Sequence, residues 1–294
     1  MFTGAYAILY AFFDAEGRLD RAAMRRQVEA GIAAGAHGIA ALGLATEVAK
    51  LTADERHQIM DWVTQDVGGR VPVAFTIFGA TPEEQIAEAK RAKSAGANWL
   101  IHQPPPKNRN APERLFDFFA EAIAASGLPA GIQNAPAYLG IGLDTQGIGD
   151  LARKVSAFKV LKGEGPAIEI AETVAGLKAG FPVFNGRGGL ELIDNLRAGC
   201  AGVIVAPDVI DLIARALDAW RGGRLDEAEA LYQRALPAIV FVMQSLDTHI
   251  TYGKRLTALR LGTTTVHDRA PCLAPTAFGL AVTERLARDL GRLP

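Results

Sequence analysis

A short β-rich run, a loop and an amphipathic helix that ends on glycine recur as a unit along most of this 294-residue chain. Three of the helix ends are nearly identical: Ala34-Gly35-Ala36, Ala95-Gly96-Ala97 and Ala198-Gly199-Cys200, and a strand-like run follows each one directly. Glycine suits the left-handed backbone conformation that ends many helices. Each of these segments therefore predicts a helix that stops and turns at once into a strand.

Eight segments have the length and the apolar character of buried strands. They are residues 5–10, 38–41, 71–76, 99–102, 130–133, 160–162, 182–185 and 202–205. Strands that read as continuous apolar runs and alternate with helices indicate a parallel sheet covered by helices, an α/β fold. Eight such units within about 220 residues favour a closed (β/α)₈, or TIM, barrel over an open sheet. The first strand is not followed by GxGxxG, which weakens a dinucleotide-binding alternative.

The barrel is predicted to occupy residues 1–223, and residues 224–294 are predicted to add about three helices. These helices are expected at residues 225–243, 250–261 and 276–290. Since the sequence between them and the barrel does not resemble a linker, we expect the C-terminal extension to pack on the barrel as part of one structural unit.

Composition narrows the range of partners and cofactors. The chain is 49% hydrophobic with a formal net charge of -1 and has no block of like charges, so we expect neither a nucleic-acid partner nor a membrane partner. Residues 1–13 are too short to span a membrane and do not resemble a signal peptide, which predicts a cytoplasmic protein. The histidines lack HxH and HExxH spacing, and Cys200 and Cys272 lack CxxC spacing, so no metal site is predicted.

Lys162 is the most informative polar residue at a predicted strand end. The active sites of parallel barrels lie where the strands end, and the segment Val160-Leu161-Lys162 would carry an amine from a buried strand to that face. A lysine amine that burial keeps neutral can attack a ketone carbonyl and form an imine. The alternative at this point is a lysine that meets solvent or pairs with Glu164.

Two further segments could bind anionic groups. Gly43 and the backbone amides of residues 44–46 could hold a carboxylate, and the Thr46 hydroxyl could add a donor, although an ordinary tight loop is the alternative. Arg187, which lies among glycines, could bind a second anionic group through two hydrogen bonds or could form a surface ion pair.

Taken together, these residues resemble the dihydrodipicolinate synthase and N-acetylneuraminate lyase family of class I aldolase barrels, over nearly the whole chain. The resemblance rests on the loop at residues 43–47 with residues 51–56 after it, the turn Asn134-Ala135-Pro136, Lys162, Asn185-Gly186, and the strand at residues 202–204. It implies a Schiff base on Lys162, a small 2-keto acid substrate, no cofactor beyond the covalent lysine imine, and a homo-oligomer, usually a tetramer.

Several positions depart from the synthase pattern. Leu44 and Ala45 replace two threonines, and Gln133 replaces the tyrosine that relays protons. Tyr138 stands where the synthase has a substrate-binding arginine, and residues 104–106, all proline, replace the region of a tyrosine from the neighbouring subunit. These departures argue against lysine-biosynthetic dihydrodipicolinate synthase.

The Gln-x-Ala-Pro turn and the Lys-x-Glu segment resemble the branch of the family that dehydrates 2-keto-3-deoxy sugar acids. On this hypothesis Lys162 forms the imine, Glu164 acts as base or acid and Gln133 orients the substrate or a water. Gly43, Leu44, Ala45, Thr46, Tyr138, Gly186 and Arg187 are the predicted substrate-binding residues. The alternatives are a pyruvate-releasing aldolase, a dihydrodipicolinate synthase with altered relay residues, and a ligand-binding barrel without catalysis.

Overall fold

Eight parallel strands close into a barrel in chain order in the computed structural model, which describes residues 2–106 and 114–294. Each strand pairs with the next, and the last pairs with the first. The strands are β1 Gly4–Ile8, β2 Gly38–Ala41, β3 Val73–Ile77, β4 Trp99–His102, β5 Ala130–Asn134, β6 Phe158–Gly163, β7 Val183–Asn185 and β8 Gly202–Val205. The predicted (β/α)₈ barrel is confirmed.

Helices surround the barrel and extend beyond it. They are α1 Arg21–Ala33, α2 Ala53–Val67, α3 Pro82–Ala95, α4 Leu115–Ala124, α5 Pro136–Leu139, α6 Thr145–Lys154, α7 Ala167–Gly176, α8 Leu192–Arg197, α9 Ile210–Arg221, α10 Leu225–Val242, α11 Leu246–Thr248, α12 Lys254–Arg260 and α13 Ala277–Leu290. Short 3₁₀ turns at Val48–Lys50, Arg187–Gly189 and Pro207–Val209 and a π-helical turn at His249–Gly253 lie between them. Every helix in the described ranges is too short or too polar to cross a membrane.

Local signals in the sequence set the helix ends. Thr52 and Glu55 form a reciprocal capping box at the start of α2, and Thr81 caps α3 ahead of a proline at its first turn. Gly35, Gly96 and Gly199 have φ values of 87°, 104° and 95°. The left-handed conformation expected at the three similar helix ends is therefore present.

The first strand ends at Ile8 rather than at the predicted Tyr10. Gln27 of α1 forms two hydrogen bonds with the backbone of Tyr10. Its side chain accepts from the Tyr10 N–H at 3.0 Å and donates to the Tyr10 carbonyl at 2.9 Å. A side chain from a helix thus replaces the neighbouring strand as the hydrogen-bond partner.

Two apolar clusters divide the barrel residues between the inside and the outside of the sheet. One cluster joins the outward side chains of the strands to the helices, including Ile239 of α10, Leu256 of α12 and Leu286 of α13. The second cluster fills the barrel interior. There the rings of Tyr6, Trp99 and Phe184 lie 5.5 to 5.8 Å apart and form an aromatic layer.

A buried arginine attaches the C-terminal helices to the barrel. Arg260 of α12 donates two hydrogen bonds to the carboxylate of Asp211 on α9, at 2.9 and 2.8 Å, and one to the carbonyl of Asp208 at 2.7 Å. The helix predicted at residues 250–261 is interrupted, because residues His249–Gly253 form a π-helical turn before α12 begins.

Candidate active site

A narrow cavity opens at the mouth of the barrel, beyond the carboxyl ends of the strands. Its polar lining comes mostly from the ends of β6 and β7 and from α5. The polar side chains are Lys162, Glu164, Tyr138, Arg187 and His249.

Lys162 and Glu164 form a buried ion pair in this cavity. The Lys162 Nζ lies 2.7 Å from Glu164 Oε1, and the two side chains are 4% and 7% exposed. Gln133, which is fully buried, donates from Nε2 to the same Glu164 oxygen at 2.8 Å. The structure therefore brings the three predicted catalytic residues together, and Lys162 contacts Glu164 rather than solvent.

The strands explain why these three side chains meet. Gln133 of β5 and Lys162 of β6 are register partners, so both side chains point to the same face of the sheet. Glu164 follows β6 directly, and its N–H donates to the Asn134 carbonyl at 2.9 Å, which keeps its backbone aligned with β5. Glu164 therefore lies on the same side as Lys162, two residues along the extended chain.

Gly186 leaves the space that Glu164 occupies. A Cβ atom at position 186 would lie 2.9 Å from Glu164 Cδ and Cγ and 3.0 Å from its Oε1. Gly186, a predicted substrate-binding residue, lines the cavity. Its lack of a side chain allows the Glu164 carboxylate to approach closely.

Tyr138 and Arg187 form a polar edge next to Glu164. Burial raises the pKa of Tyr138, a hydrogen bond with Arg187 opposes this rise, and the charge of Glu164 adds to it. Arg187 also donates to Glu191 at 2.6 Å. Arg187 therefore forms the ion pair that one of the two alternatives predicts, and it also lines the cavity.

The loop after β2 contributes an apolar wall instead of the predicted side-chain donor. Leu44 and Ala45 line the cavity, but Thr46 is fully buried, donates its hydroxyl to the Leu9 carbonyl at 2.6 Å and its N–H to the Gly43 carbonyl at 3.1 Å. Both donors of Thr46 are occupied inside the protein, so it does not present them to the cavity as predicted.

Gly43 also lies behind the cavity wall. A Cβ atom at this position would meet Ile8 Cδ1 at 2.5 Å, so a larger residue would displace the end of the Ile8 side chain. The next part of the loop is held by Glu47, a buried residue with φ 56° whose carboxylate pairs with Lys50 at 2.6 Å and with Lys254. This arrangement fixes the apolar wall beside Lys162.

Sequence reasoning did not predict the contribution of the C-terminal region. Met243, Leu246 and His249 line the cavity, and the hydroxyl of Tyr10 lies 3.3 Å from His249 Nδ1. Tyr10 was detectable as a polar aromatic at the end of a predicted strand. His249 carries no local motif, and only the tertiary packing of the C-terminal helices brings it to the barrel mouth.

His102, at the end of β4, is a structural residue and does not line the cavity. Its Nδ1 lies 2.8 Å from Gln85 Oε1, and Gln85 donates its amide to the carbonyls of Gly79 and Gln103. Burial lowers the pKa of His102 to about 3. Residues 2–106 and 114–294 contain no group of three or more His, Cys, Asp or Glu side chains that could hold a metal ion.

The fold and the site together define a (β/α)₈ barrel enzyme whose cavity is built around a buried lysine–carboxylate pair. Residues 1–273 match the model of the dihydrodipicolinate synthetase family, and the chain belongs to that family. It is accordingly an enzyme of the lyase class.

Individual relatives agree with this assignment. The chain is 31% identical over 242 residues to an L-2-keto-3-deoxyarabonate dehydratase from Azospirillum brasilense, over 80% of this chain and 78% of the relative. It is 28% identical to a 4-hydroxy-tetrahydrodipicolinate synthase from Pelobacter propionicus, over 79% of this chain and 80% of the relative.

Solved structures show the same fold at lower sequence identity. The crystal structure of dihydrodipicolinate synthase from Aquifex aeolicus superposes with a TM-score of 0.90 at 20% identity and covers 98% of both chains.

Proposed function

We propose that this protein is a Schiff-base-forming dehydratase that acts on a small 2-keto-3-deoxy sugar acid through Lys162. The observation that carries the proposal is the buried contact of 2.7 Å between Lys162 Nζ and Glu164 Oε1 at the cavity, with Gln133 bound to the same oxygen. A nucleophile in hydrogen-bond contact with a base, which a third group orients, is the arrangement that covalent catalysis requires.

The first stage of the proposed reaction is imine formation. Glu164 accepts a proton from the Lys162 ammonium across their hydrogen bond, and the free amine attacks the C2 ketone of the substrate. Loss of the ketone oxygen as water leaves a protonated imine between Lys162 and C2. This iminium group withdraws electrons from C3 and makes the C3 proton acidic.

The second stage removes a water from C3 and C4. Glu164 takes the C3 proton, the electron pair of that bond forms the enamine, and the C4 hydroxyl then leaves with a proton. Water hydrolyses the resulting conjugated imine, which releases the dehydrated 2-keto acid and regenerates Lys162. Substrate and product differ by one water, and the lysine imine is the only electron sink that this scheme requires.

The remaining walls fit a short, hydroxylated substrate. Ile8, Leu44, Ala45 and Ile204 form an apolar side of the cavity, whereas Tyr138 and Arg187 form the polar edge next to Glu164. We assign the polar edge to the distal hydroxyl groups of the sugar acid. Gln133, which is buried behind Glu164, orients that carboxylate.

The relative from Azospirillum brasilense, which bears a dehydratase name, supports dehydration over aldol cleavage or condensation. A dihydrodipicolinate synthase would need to hold the carboxylate of a second substrate. By the resemblance, Tyr138 occupies the position of the arginine that serves this purpose, and Tyr138 carries no positive charge. We therefore place condensation below dehydration.

Borohydride reduction in the presence of a 2-keto-3-deoxy pentonate, and separately of pyruvate, tests the proposal. We expect a substrate-dependent mass increase that peptide mapping places on Lys162, and in the unreduced reaction a product lighter by one water. Release of pyruvate and an aldehyde instead would show an aldolase. The absence of any adduct in the folded protein would point to a binding protein without catalysis.

We also propose that the protein acts as a homo-oligomer in the cytoplasm. The support for this proposal is the family resemblance, since members of the family are usually homotetramers. Sedimentation or light scattering of the purified protein would give the number of subunits, for which the family resemblance suggests four.

A further inference from the structure

Arg187 and Glu191 form an ion pair on the turn between β7 and α8, and the scheme above gives Glu191 no role. Arg187 Nη1 donates to Glu191 Oε2 at 2.6 Å, and the two side chains are 21% and 39% exposed. Arg187 lines the cavity, whereas Glu191 lies outside its lining. The guanidinium at the cavity therefore has a counter-ion of its own that a substrate does not touch.

An unusual backbone conformation brings Arg187 and Glu191 together. Their φ values are 48° and 56°, and this left-handed region is uncommon for residues other than glycine. The Glu191 carbonyl accepts from the N–H of Asn195 at 2.9 Å and from its side-chain amide at 2.8 Å. Glu191 Oε2 also accepts from the N–H of Ala167, at the start of α7, at 3.3 Å. Both the backbone and the carboxylate of Glu191 are thus fixed in the position that pairs with Arg187.

The cavity side chains follow the order in which an extended 2-keto acid would meet them. In the proposed scheme C2 is bound to Lys162 Nζ, and Glu164 Oε1, 2.7 Å from that nitrogen, faces C3. Tyr138 comes next, because the charge of Glu164 affects its pKa and its hydroxyl hydrogen-bonds with Arg187. A Cβ atom at Gly186 would lie 3.0 Å from Glu164 Oε1, which also places the turn of Arg187 beside Glu164. Arg187 is therefore the cation that the distal carbons of the substrate approach.

The charges around the cavity favour a substrate whose distal end is neutral. Within residues 2–106 and 114–294, the charged side chains that line the cavity are Lys162, Glu164 and Arg187. Lys162 pairs with Glu164 and Arg187 pairs with Glu191, so each cation already has a carboxylate. A second carboxylate on the substrate would face Glu164 and compete with Glu191 for the guanidinium. A hydroxyl needs no net charge and can accept from the other N–H groups of Arg187.

We infer that Glu191 is a specificity-determining residue, which neutralises Arg187 so that the site takes 2-keto-3-deoxy acids with a hydroxylated end and rejects dicarboxylates. This inference rests on the proposed function, because it names the class of substrate for the same lysine imine. The discrimination comes from the electrostatic cost of the unwanted substrate.

Two five-carbon 2-keto acids test the inference. 2-Oxopentanoate ends in a methyl group and 2-oxoglutarate ends in a carboxylate, and the two compounds are otherwise alike. Each is titrated against the full chain, with borohydride to trap the Lys162 adduct and intact mass to measure it. For the parent protein, we expect the half-saturating concentration of 2-oxoglutarate to exceed that of 2-oxopentanoate about tenfold or more.

Glu191→Gln keeps the shape of the side chain and removes its charge. We expect the half-saturating concentration of 2-oxoglutarate to fall about tenfold, whereas those of 2-oxopentanoate and pyruvate change by less than about twofold. The double variant Glu191→Gln with Arg187→Met should lose this gain. Glu229→Gln is the matched control, since Glu229 is 40% exposed and pairs with Arg197 at 2.5 Å on the surface. It should change none of the titrations.

Equal half-saturating concentrations of the two acids in the parent protein, or a lower one for 2-oxoglutarate, would overturn the inference, and this comparison does not depend on the folding of a variant. In Glu191→Gln, unchanged titrations or an equal shift for all three acids would also overturn it, the latter by assigning Glu191 to the fold. A parent protein that forms no adduct with any of the acids would remove the proposed function as well. Adducts without discrimination would remove this inference alone, so the two failures are distinguishable.

Discussion

Lys162 Nζ and Gln133 Nε2 both contact a single oxygen, Glu164 Oε1, at 2.7 and 2.8 Å. The carboxylate therefore lies between the amine and a fixed amide donor, in a place from which little water can reach it. In a buried pair of this kind, removal of one partner leaves the other charge uncompensated. Changes at any of the three positions should thus affect the other two.

Removal of the Lys162 amine should abolish both imine formation and turnover. Lys162→Met keeps the length of the apolar stem, and we expect turnover to fall on the order of 10⁴-fold or more with no borohydride-trapped adduct. The matched control is Lys159→Met on the same strand, because Lys159 is exposed. An adduct on the Lys162→Met protein would show that another amine is the nucleophile.

Glu164→Gln should separate imine formation from the later proton transfer. The amide keeps the shape of the carboxylate and can still accept from Gln133, but it cannot remove the C3 proton. We expect kcat to fall about 10²-fold or more, whereas a pyruvate adduct on Lys162 should still form, but more slowly, because water must take the Lys162 proton in place of Glu164. Steady-state kinetics and intact-mass measurement check the two parts.

Glu172→Gln, on the exposed face of α7, is the control for the loss of one negative charge. Unchanged turnover in Glu164→Gln would show that Glu164 has no catalytic role. Parallel loss of turnover and adduct would instead limit its role to the deprotonation of Lys162.

A methyl group at position 186 should move the carboxylate of Glu164, the proposed base. The Cβ atom of Gly186→Ala would lie 2.9 Å from Glu164 Cγ and Cδ, and the side chain must shift away from Lys162 or Gln133 to relieve the contact. A displacement of about 1 Å in a catalytic group can reduce kcat by about 10²-fold, and we expect a loss of that order in Gly186→Ala. In Gly149→Ala the added atom would meet the end of the Arg153 side chain at 3.2 Å, and this variant should retain full activity.

His102 should make the folded state less stable in mild acid. Gln85 Oε1 accepts from its Nδ1, and its buried Nε2 has no partner in the described part of the chain, so a second proton would be buried without an acceptor. The folded pKa of about 3 lies below the ordinary value of 6.5. The contribution of His102 is therefore complete above pH 6.5 and is lost as the pH falls toward 3.

His102→Asn keeps a donor for Gln85 and removes the titrating nitrogen. From about pH 7.5 to about pH 5, the parent should lose about 2 kcal/mol more unfolding free energy than the variant does. Urea unfolding of both proteins at the two pH values measures this difference. Equal losses would mean that His102 can be protonated in the folded state.

The sequence specified the barrel because its signals are local and repeated. Apolar runs marked the eight strands, and Gly35, Gly96 and Gly199 marked helix ends that the structure reproduces. Strand ends were less certain, as at Tyr10, where the hydrogen bonds of Gln27 replace those of the sheet. That exchange depends on how α1 packs and leaves no pattern in the strand itself.

The candidate site, like the fold, contains residues that the sequence predicted and residues that it did not. Lys162, Glu164 and Gln133 could be placed together because all three lie at or next to the ends of neighbouring strands. The position of His249 depends on how the C-terminal helices pack around a π-helical turn, and the withdrawal of Thr46 depends on a hydrogen bond to Leu9. Neither contact joins residues close in sequence, so neither produces a readable spacing.

The aromatic layer of Tyr6, Trp99 and Phe184 limits the routes by which substrate and product can enter and leave the cavity. Phe184 is the register partner of Lys162, so the layer begins directly beside the proposed nucleophile and fills the barrel interior beneath it. Within the part of the chain that is described, substrate therefore enters and product leaves through the same opening at the barrel mouth. A substrate molecule can enter only after the previous product has left. Accumulated product should therefore compete with substrate for this opening.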